Sequence, residues 1–209
     1  MVGDHAADNM VVMSYSCEPS RDDCMARQEK TIAVAGAGSI GCYVGGCLAL
    51  AGRKVNFLGR GRIVEAMRKD GLRVSDLDGR DRRIDPEALA VTDDPAMALR
   101  NADIVLVTVK SGATVEMAAL LAAHARPDTI VVSLQNGVGN ADKLRAKLPA
   151  QRVLAGMVPF NVVQSPEGEA PFRVHRASEG KIMVEEGVPR EVGGVGDAGG
   201  RMRGRLEVG

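Results

Sequence analysis

The sequence predicts an α/β fold, a mostly parallel sheet with flanking helices. Two observations lead there. From Thr31 to about Leu148, short apolar runs alternate with longer segments of helical period, the pattern of right-handed βαβ units. The first apolar run, TIAVAGAGSIG at residues 31–41, also passes straight into glycines at Gly36, Gly38 and Gly41, the punctuation of a tight strand-to-helix turn.

The elements follow in order. The β-branched stretch at 31–36 is the first strand, and the segment opening at Ser39 is a helix over 39–51. Gly45 and Gly46 on that helix imply close packing, with Cys42 and Cys47 on its buried face. A second strand is expected at 54–58 with a helix at 61–69. A third lies at 103–109 with a helix at 112–124, and a fourth at 129–134 with a helix at 140–147. Short strands near 72–75, 82–84 and 89–92 read as an insertion. Beyond Val153 the period shortens to two. In FRVHRASEGKIMVEEG, Phe172 and Val174, then Ile182 and Val184, share a side, which predicts a β-hairpin closing the domain.

A chain of 209 residues buries one sizeable core, and a single domain is expected over 30–186. Residues 1–29 are polar, without apolar period or signal-peptide layout, and read as a disordered leader. Met25 opens MARQEKTIAVAGAG, a few residues before the first strand, where a chain of this kind ordinarily starts. Residues 187–209 hold eight glycines and no period, and a disordered tail is expected. Lys and Arg number 27 against 27 Asp and Glu, so no basic field exists for a nucleic acid. The apolar runs fall well short of the roughly 20 residues that a membrane helix needs. A cytoplasmic protein with neither nucleic acid nor membrane as partner is expected. Cys17, Cys24, Cys42 and Cys47 have no CxxC spacing and no clustered histidines beside them, so they read as free thiols and no metal site is expected.

Gly36-Ala37-Gly38-Ser39-Ile40-Gly41 is a GxGxxG that follows a predicted strand and opens a predicted helix. In that context the first glycine permits the turn, the second lets backbone approach a pyrophosphate and the third lets helix pack on strand. The anion then sits on the unpaired N–H groups of the helix start. A Rossmann-type dinucleotide site is the reading. At the end of the second strand, KVNFLGRGR places Arg60, supported by Arg62, where an NAD enzyme would carry an acid. A guanidinium there suits a 2′-phosphate and favours NADPH. Two more strands end at the carboxyl edge with a polar residue: IVLVTVKSGAT delivers Lys110 and IVVSLQNGVGN delivers Asn136. A mobile cation and an amide that both donates and accepts suit a carboxylate or carboxamide beside a nicotinamide.

Taken together, GAGSIG, Arg60, VTVKSGAT, QNGVGN and FNVVQSPEG with FRVHRASEGKIMVEEG, in that order over about residues 30–186, resemble the ketopantoate reductase (2-dehydropantoate 2-reductase) family. The resemblance implies NADPH-dependent reduction of the 2-keto group of ketopantoate to (R)-pantoate, a step toward pantothenate and coenzyme A. It assigns Gly36 to Gly41 to the pyrophosphate, Arg60 to the 2′-phosphate, and Lys110 and Asn136 to the nicotinamide side and the 2-keto acid. In the family the proton donor is a lysine on the first long helix of a helical C-terminal domain. After Gly187 this sequence does not continue in that pattern, and Lys181 falls within the last predicted strand, so that role is not carried over. The helical domain is therefore expected to be missing and the activity impaired. The alternative is a non-catalytic NADPH-binding module, a remnant of a truncated reductase. A sheet face left uncovered around Val158 to Val163 and the final hairpin would favour self-association.

Overall fold

The computed structural model describes residues 10–12, 30–166 and 172–186. In chain order it holds strand β1 (Met10–Val12), then β2 (Ile32–Ala35), α1 (Ser39–Leu50), β3 (Val55–Leu58) and α2 (Gly61–Asp70). The pair β4 (Leu72–Ser75) and β5 (Asp81–Ile84) precedes β6 (Ala90–Thr92), α3 (Pro95–Leu99) and β7 (Ile104–Val107). Next come α4 (Thr114–His124), β8 (Ile130–Ser133), α5 (Asn140–Lys147) and β9 (Arg152–Met157), and then the short strands β10 (Val162–Gln164), β11 (Arg173–Arg176) and β12 (Met183–Glu185).

Eight strands form the main sheet in the order β1-β12-β9-β8-β7-β2-β3-β6. From β9 to β6 every neighbouring pair is parallel, as the intervening helical crossovers require. Both faces of β2 are buried: Ile32 and Val34 face one core, Ala33 and Ala35 the other. This is why the strand reads as an unbroken apolar run. On the second face, Leu99 of α3, Ala118 and Leu121 of α4 and Leu144 of α5 belong to one cluster with Val105, Val107 and Val131.

The first face is covered by α1, which is itself covered by a second sheet in the order β10-β11-β4-β5. Gly41 through Leu48 are all buried, so the helix is apolar all round, not on one stripe. Its paired glycines serve the two sides. A Cβ at Gly45 would stand 2.5 Å from the Phe57 ring, and one at Gly46 would stand 2.6 Å from Val74 of the second sheet.

Two expectations are corrected here. First, Phe172/Val174 and Ile182/Val184 do not belong to one hairpin. β11 pairs antiparallel with β10 and parallel with β4, whereas β12 pairs with β9 and β1. Alternation fixes which side chains face a core but not which strand supplies the hydrogen bonds. Second, the strand at Ala90–Thr92 is not part of the insertion. It is the edge of the main sheet, parallel to β3, and only β4 and β5 are inserted. Within the segment expected as a leader, Met10–Val12 forms a strand antiparallel to β12, while the rest of 1–29, and the tail at 187–209, lie outside the described residues.

The stretch Val158 to Val163 is mixed: Pro159, Asn161 and Val163 are exposed. Val158 and Phe160 are buried. Phe160 meets the Tyr43 ring edge-on at 5.7 Å and the Arg176 guanidinium at 5.9 Å, so the space above α1 is filled from within the chain. Among the described residues no helix is long and apolar enough to cross a membrane, and no group of three or more metal-ligating side chains occurs.

Candidate functional site

The glycine turn joins β2 to α1. Gly36 has φ 115, a conformation that favours glycine, and a Cβ there would come within 2.7 Å of Val109 Cγ1 and 2.9 Å of the Val109 amide. The peptide N–H groups of Gly36 and Ala37 both donate to the Leu58 carbonyl, at 3.1 and 2.9 Å. A Cβ at Gly41 would overlap the Gly36 carbonyl. The outer two glycines of the motif are thus required by the protein's own packing. Gly38 is different: its φ of −86° suits any residue, and nothing lies within 4 Å of where its Cβ would be. The open space there borders the first turn of α1, which has no side-chain cap and no acidic residue. The N–H groups of Ser39, Ile40 and Gly41 therefore lack intrahelical partners, and an anion brought over Gly38 would satisfy them.

The next strand brings Arg60. It follows β3 and Gly59, and it is the residue that starts α2. A Cβ at Gly59 would sit 3.0 Å from that of Ala37, so the two turns lie against one another. Arg60 is exposed, and its guanidinium has no side-chain partner among the described residues. Arg62 stands in the first turn of α2. A carboxylate also borders this end: Asp93, after β6, has Oδ2 3.9 Å from the Cβ position of Gly61.

On the other side of β2, β7 and β8 are adjacent and parallel, and they end in Lys110 and Asn136. Both residues are exposed. Their loops are tied together by polar side chains that the sequence reading did not single out. Ser111 donates its hydroxyl to the Asn136 carbonyl at 2.7 Å. Asn140 Nδ2 lies 3.0 Å from that carbonyl, 3.2 Å from the Gly137 carbonyl and 3.1 Å from Ser111 Oγ. Gln135 Nε2 donates to the Val109 carbonyl at 2.9 Å and to Thr114 Oγ1 at 2.8 Å. Thr114, Gln135 and Asn140 are all buried. The signal was present in KSGAT and QNGVGN, but polar residues beside glycines read as solvent-facing loop until the neighbouring loop is placed.

The fold therefore carries every candidate to one edge. The strands β3, β2, β7 and β8 are consecutive in the sheet, and their carboxyl ends present Arg60, Gly36 to Gly41, Lys110 and Asn136 in that spatial order. The chain runs outward from β2 to β3 and β6, then crosses to β7 on the other side. This is the topological switch point at which open α/β sheets bind ligands. The donor set would suit a dinucleotide: peptide amides at a turn without a side chain, a guanidinium on one side, and an ammonium and a carboxamide on the other.

Comparison with known proteins identifies the family. The family model described as ketopantoate reductase PanE/ApbA matches residues 32–188. The 2-dehydropantoate 2-reductase of Halobacterium salinarum is 35% identical over 174 residues, covering 83% of this chain and 50% of that protein. That of Archaeoglobus fulgidus is 36% identical over 156 residues, covering 74% and 47%. Among solved structures, the 2-dehydropantoate 2-reductase of Geobacter metallireducens superposes with a TM-score of 0.64 at 31% identity, over 78% of this chain and 51% of that one. The PanE/ApbA family ketopantoate reductase of Ralstonia eutropha gives 0.61 at 34%, over 72% and 47%. The chain spans about half the length of these relatives. On the family match and the shared fold, the chain belongs to the ketopantoate reductase (PanE/ApbA) family.

Proposed function

We propose that the chain binds NADPH along the carboxyl edge of its main sheet and serves the reduction of 2-dehydropantoate to (R)-pantoate. The observation that carries the reading is the open space at Gly38 over the uncapped start of α1, with Arg60 on one side and Lys110 and Asn136 on the other. The peptide amides of Ser39, Ile40 and Gly41 would hold the pyrophosphate, and Arg60 the 2′-phosphate. Lys110 brings a mobile ammonium that lowers the energy of negative charge gathering on the keto oxygen, and the Asn136 carboxamide orients an amide or carboxylate by donating and accepting. When bound, the reduced nicotinamide supplies the hydride. The proton that completes the reaction is assigned to no residue of this chain.

The test is calorimetric titration of the purified chain with NADPH and with NADH. A clear preference for NADPH is expected, and Arg60→Ala should weaken NADPH binding by about 10–100-fold, the worth of charge-assisted hydrogen bonds, while leaving NADH almost unchanged. Equal affinity for the two coenzymes, or a preference that survives the substitution, rejects the reading. The alternative reading is a nucleotide-binding module without turnover. Loss of NADPH absorbance on addition of ketopantoate decides between the two, because only the enzyme predicts it.

A further inference from the structure

The loop that carries Asn136 has little of its own to hold it in place. Gly137 and Gly139 both have positive φ, 103 and 83, and Asn136, Gly137 and Val138 are exposed, so no apolar packing fixes their conformation. Their inward-facing carbonyls are gathered instead by one buried carboxamide. Asn140, the first residue of α5, faces the carbonyls of Asn136 and Gly137 with Nδ2, and its Oδ1 lies 3.3 Å from the hydroxyl of Thr114, the first residue of α4. Thr114 Oγ1 is also 2.9 Å from the Ser111 carbonyl. A single side chain thus touches both loops and the starts of both helices. The two peptide carbonyls demand N–H groups, which a carboxamide supplies and a carboxylate does not.

We propose that Asn140 is a positioning residue for the nicotinamide end of the cofactor, acting with Ser111 to lock the Lys110 and Asn136 loops into one arrangement before NADPH arrives. The proposal rests on the NADPH reading above. A group held by its supporting hydrogen bonds loses less freedom when the ligand binds, and the ligand's affinity rises accordingly. The network ends one peptide away from the two exposed side chains of the candidate site, at the Asn136 carbonyl and at Ser111. Its influence should therefore fall on Lys110 and Asn136, not on the glycine turn or Arg60.

The experiment compares NADPH with 2′-phospho-ADP-ribose, which keeps the adenine, the 2′-phosphate and the pyrophosphate but lacks the nicotinamide. In the full chain, Asn140→Asp keeps the shape and removes the donors. It should weaken NADPH by about tenfold and leave 2′-phospho-ADP-ribose within about twofold. Ser111→Ala should shift NADPH in the same direction by about threefold, and amide hydrogen exchange over residues 136–139 should quicken in both variants. Unchanged NADPH affinity in a folded Asn140→Asp protein overturns the proposal, as does an equal loss for both nucleotides. If Asn140→Asp does not fold, Ser111→Ala decides alone, because Ser111 is exposed; no selective loss of NADPH there overturns it. Wild-type protein that binds both nucleotides equally well overturns the positioning role and leaves the adenine end intact. Wild-type protein that binds neither removes the cofactor reading and this proposal together.

Discussion

Thr108 donates its hydroxyl to the carbonyl oxygen of Gly36 across 2.7 Å, joining the end of β7 to the glycine turn 72 residues earlier. The same oxygen accepts from the Gly38 amide at 2.7 Å, so the turn is braced from inside and from the neighbouring strand. Thr108→Val keeps the shape and removes one of the two bonds. The expected loss is about 1 kcal/mol of stability, or roughly 2–4 °C in the thermal midpoint for a chain of this size. A scan of both proteins by circular dichroism checks it, and an unchanged midpoint means that the brace does not matter.

Gly38 and Gly41 separate folding from binding. A Cβ at Gly41 meets the Gly36 carbonyl and would stand 2.6 Å from Thr108 Oγ1, both fixed by hydrogen bonds, so Gly41→Ala should destabilise the chain by about 2 kcal/mol or more. A Cβ at Gly38 meets nothing, so Gly38→Ala should leave the midpoint within about 1–2 °C. It should nonetheless weaken NADPH by at least about tenfold, because the methyl group occupies the path of the pyrophosphate. Denaturation and titration of the two variants read the two effects apart. Full NADPH affinity in Gly38→Ala would mean that the open space is not the phosphate site.

How much of this was legible in the sequence depends on whether the signal was local. Four of the six parallel strands, and their helices, were readable because each is a continuous apolar run followed by helical period, and their ends fall within a few residues of 31–36, 54–58, 103–109 and 129–134. The candidate residues Arg60, Lys110 and Asn136 stand out in the sequence for a related reason: each sits in a short motif at a strand end. The helix α3 was missed although Asp94 and Pro95 mark its start, the carboxylate accepting from the Ala96 amide at 2.8 Å; a helix of five residues carries too little period to register. What could not be read was long-range pairing. β11 lies beside β4 about a hundred residues away, and nothing in FRVHR names that partner. The Thr114–Gln135–Asn140 network escaped for the same reason, since its meaning appears only when two loops are brought together.

The thiols of α1 give a chemical test of the two-sheet packing. Cys42 is fully enclosed, and burial away from water pushes its pKa up to about 12; Cys47 is raised as well, chiefly by burial. A thiol held neutral in the native state and free to ionise near 8.5 when unfolded contributes stability that is complete below 8.5 and lost as pH rises toward the folded value. Native protein at pH 8 should therefore resist alkylation at both positions, since the thiolate is the reacting form, and its unfolding midpoint should fall as pH passes from about 8.5 to 10. Peptide mapping after iodoacetamide treatment reads the first effect. Rapid native labelling of Cys42 would mean that the second sheet does not cover α1.

At the opposite edge of the sheet from the candidate site, Asp103 joins three segments. Its Oδ2 accepts from the Thr31 amide at 2.8 Å, where β2 begins, and its Oδ1 accepts from Arg126 Nη2 at 2.8 Å. The Arg126 guanidinium, then the Thr31 amide, hold its carboxyl below the usual carboxylate range. A carboxyl depressed in the folded state contributes stability that is present above its unfolded pKa, about 3.9, and lost as pH falls through the lower folded value. Arg126 also binds the more exposed Asp128 at 3.0 Å, so removing the arginine would mix two effects. Asp103→Asn isolates one. About a third of the Asp103 side chain is exposed, and solvent screening limits the expected loss at neutral pH to about 1 kcal/mol. As pH falls below about 3.9 toward the lower folded value the gap between variant and parent should shrink, because the unfolded carboxyl takes up its proton first. Urea titrations at pH 7 and pH 3 measure the difference, and a gap that persists undiminished in acid would assign the contribution to hydrogen-bond shape instead of charge.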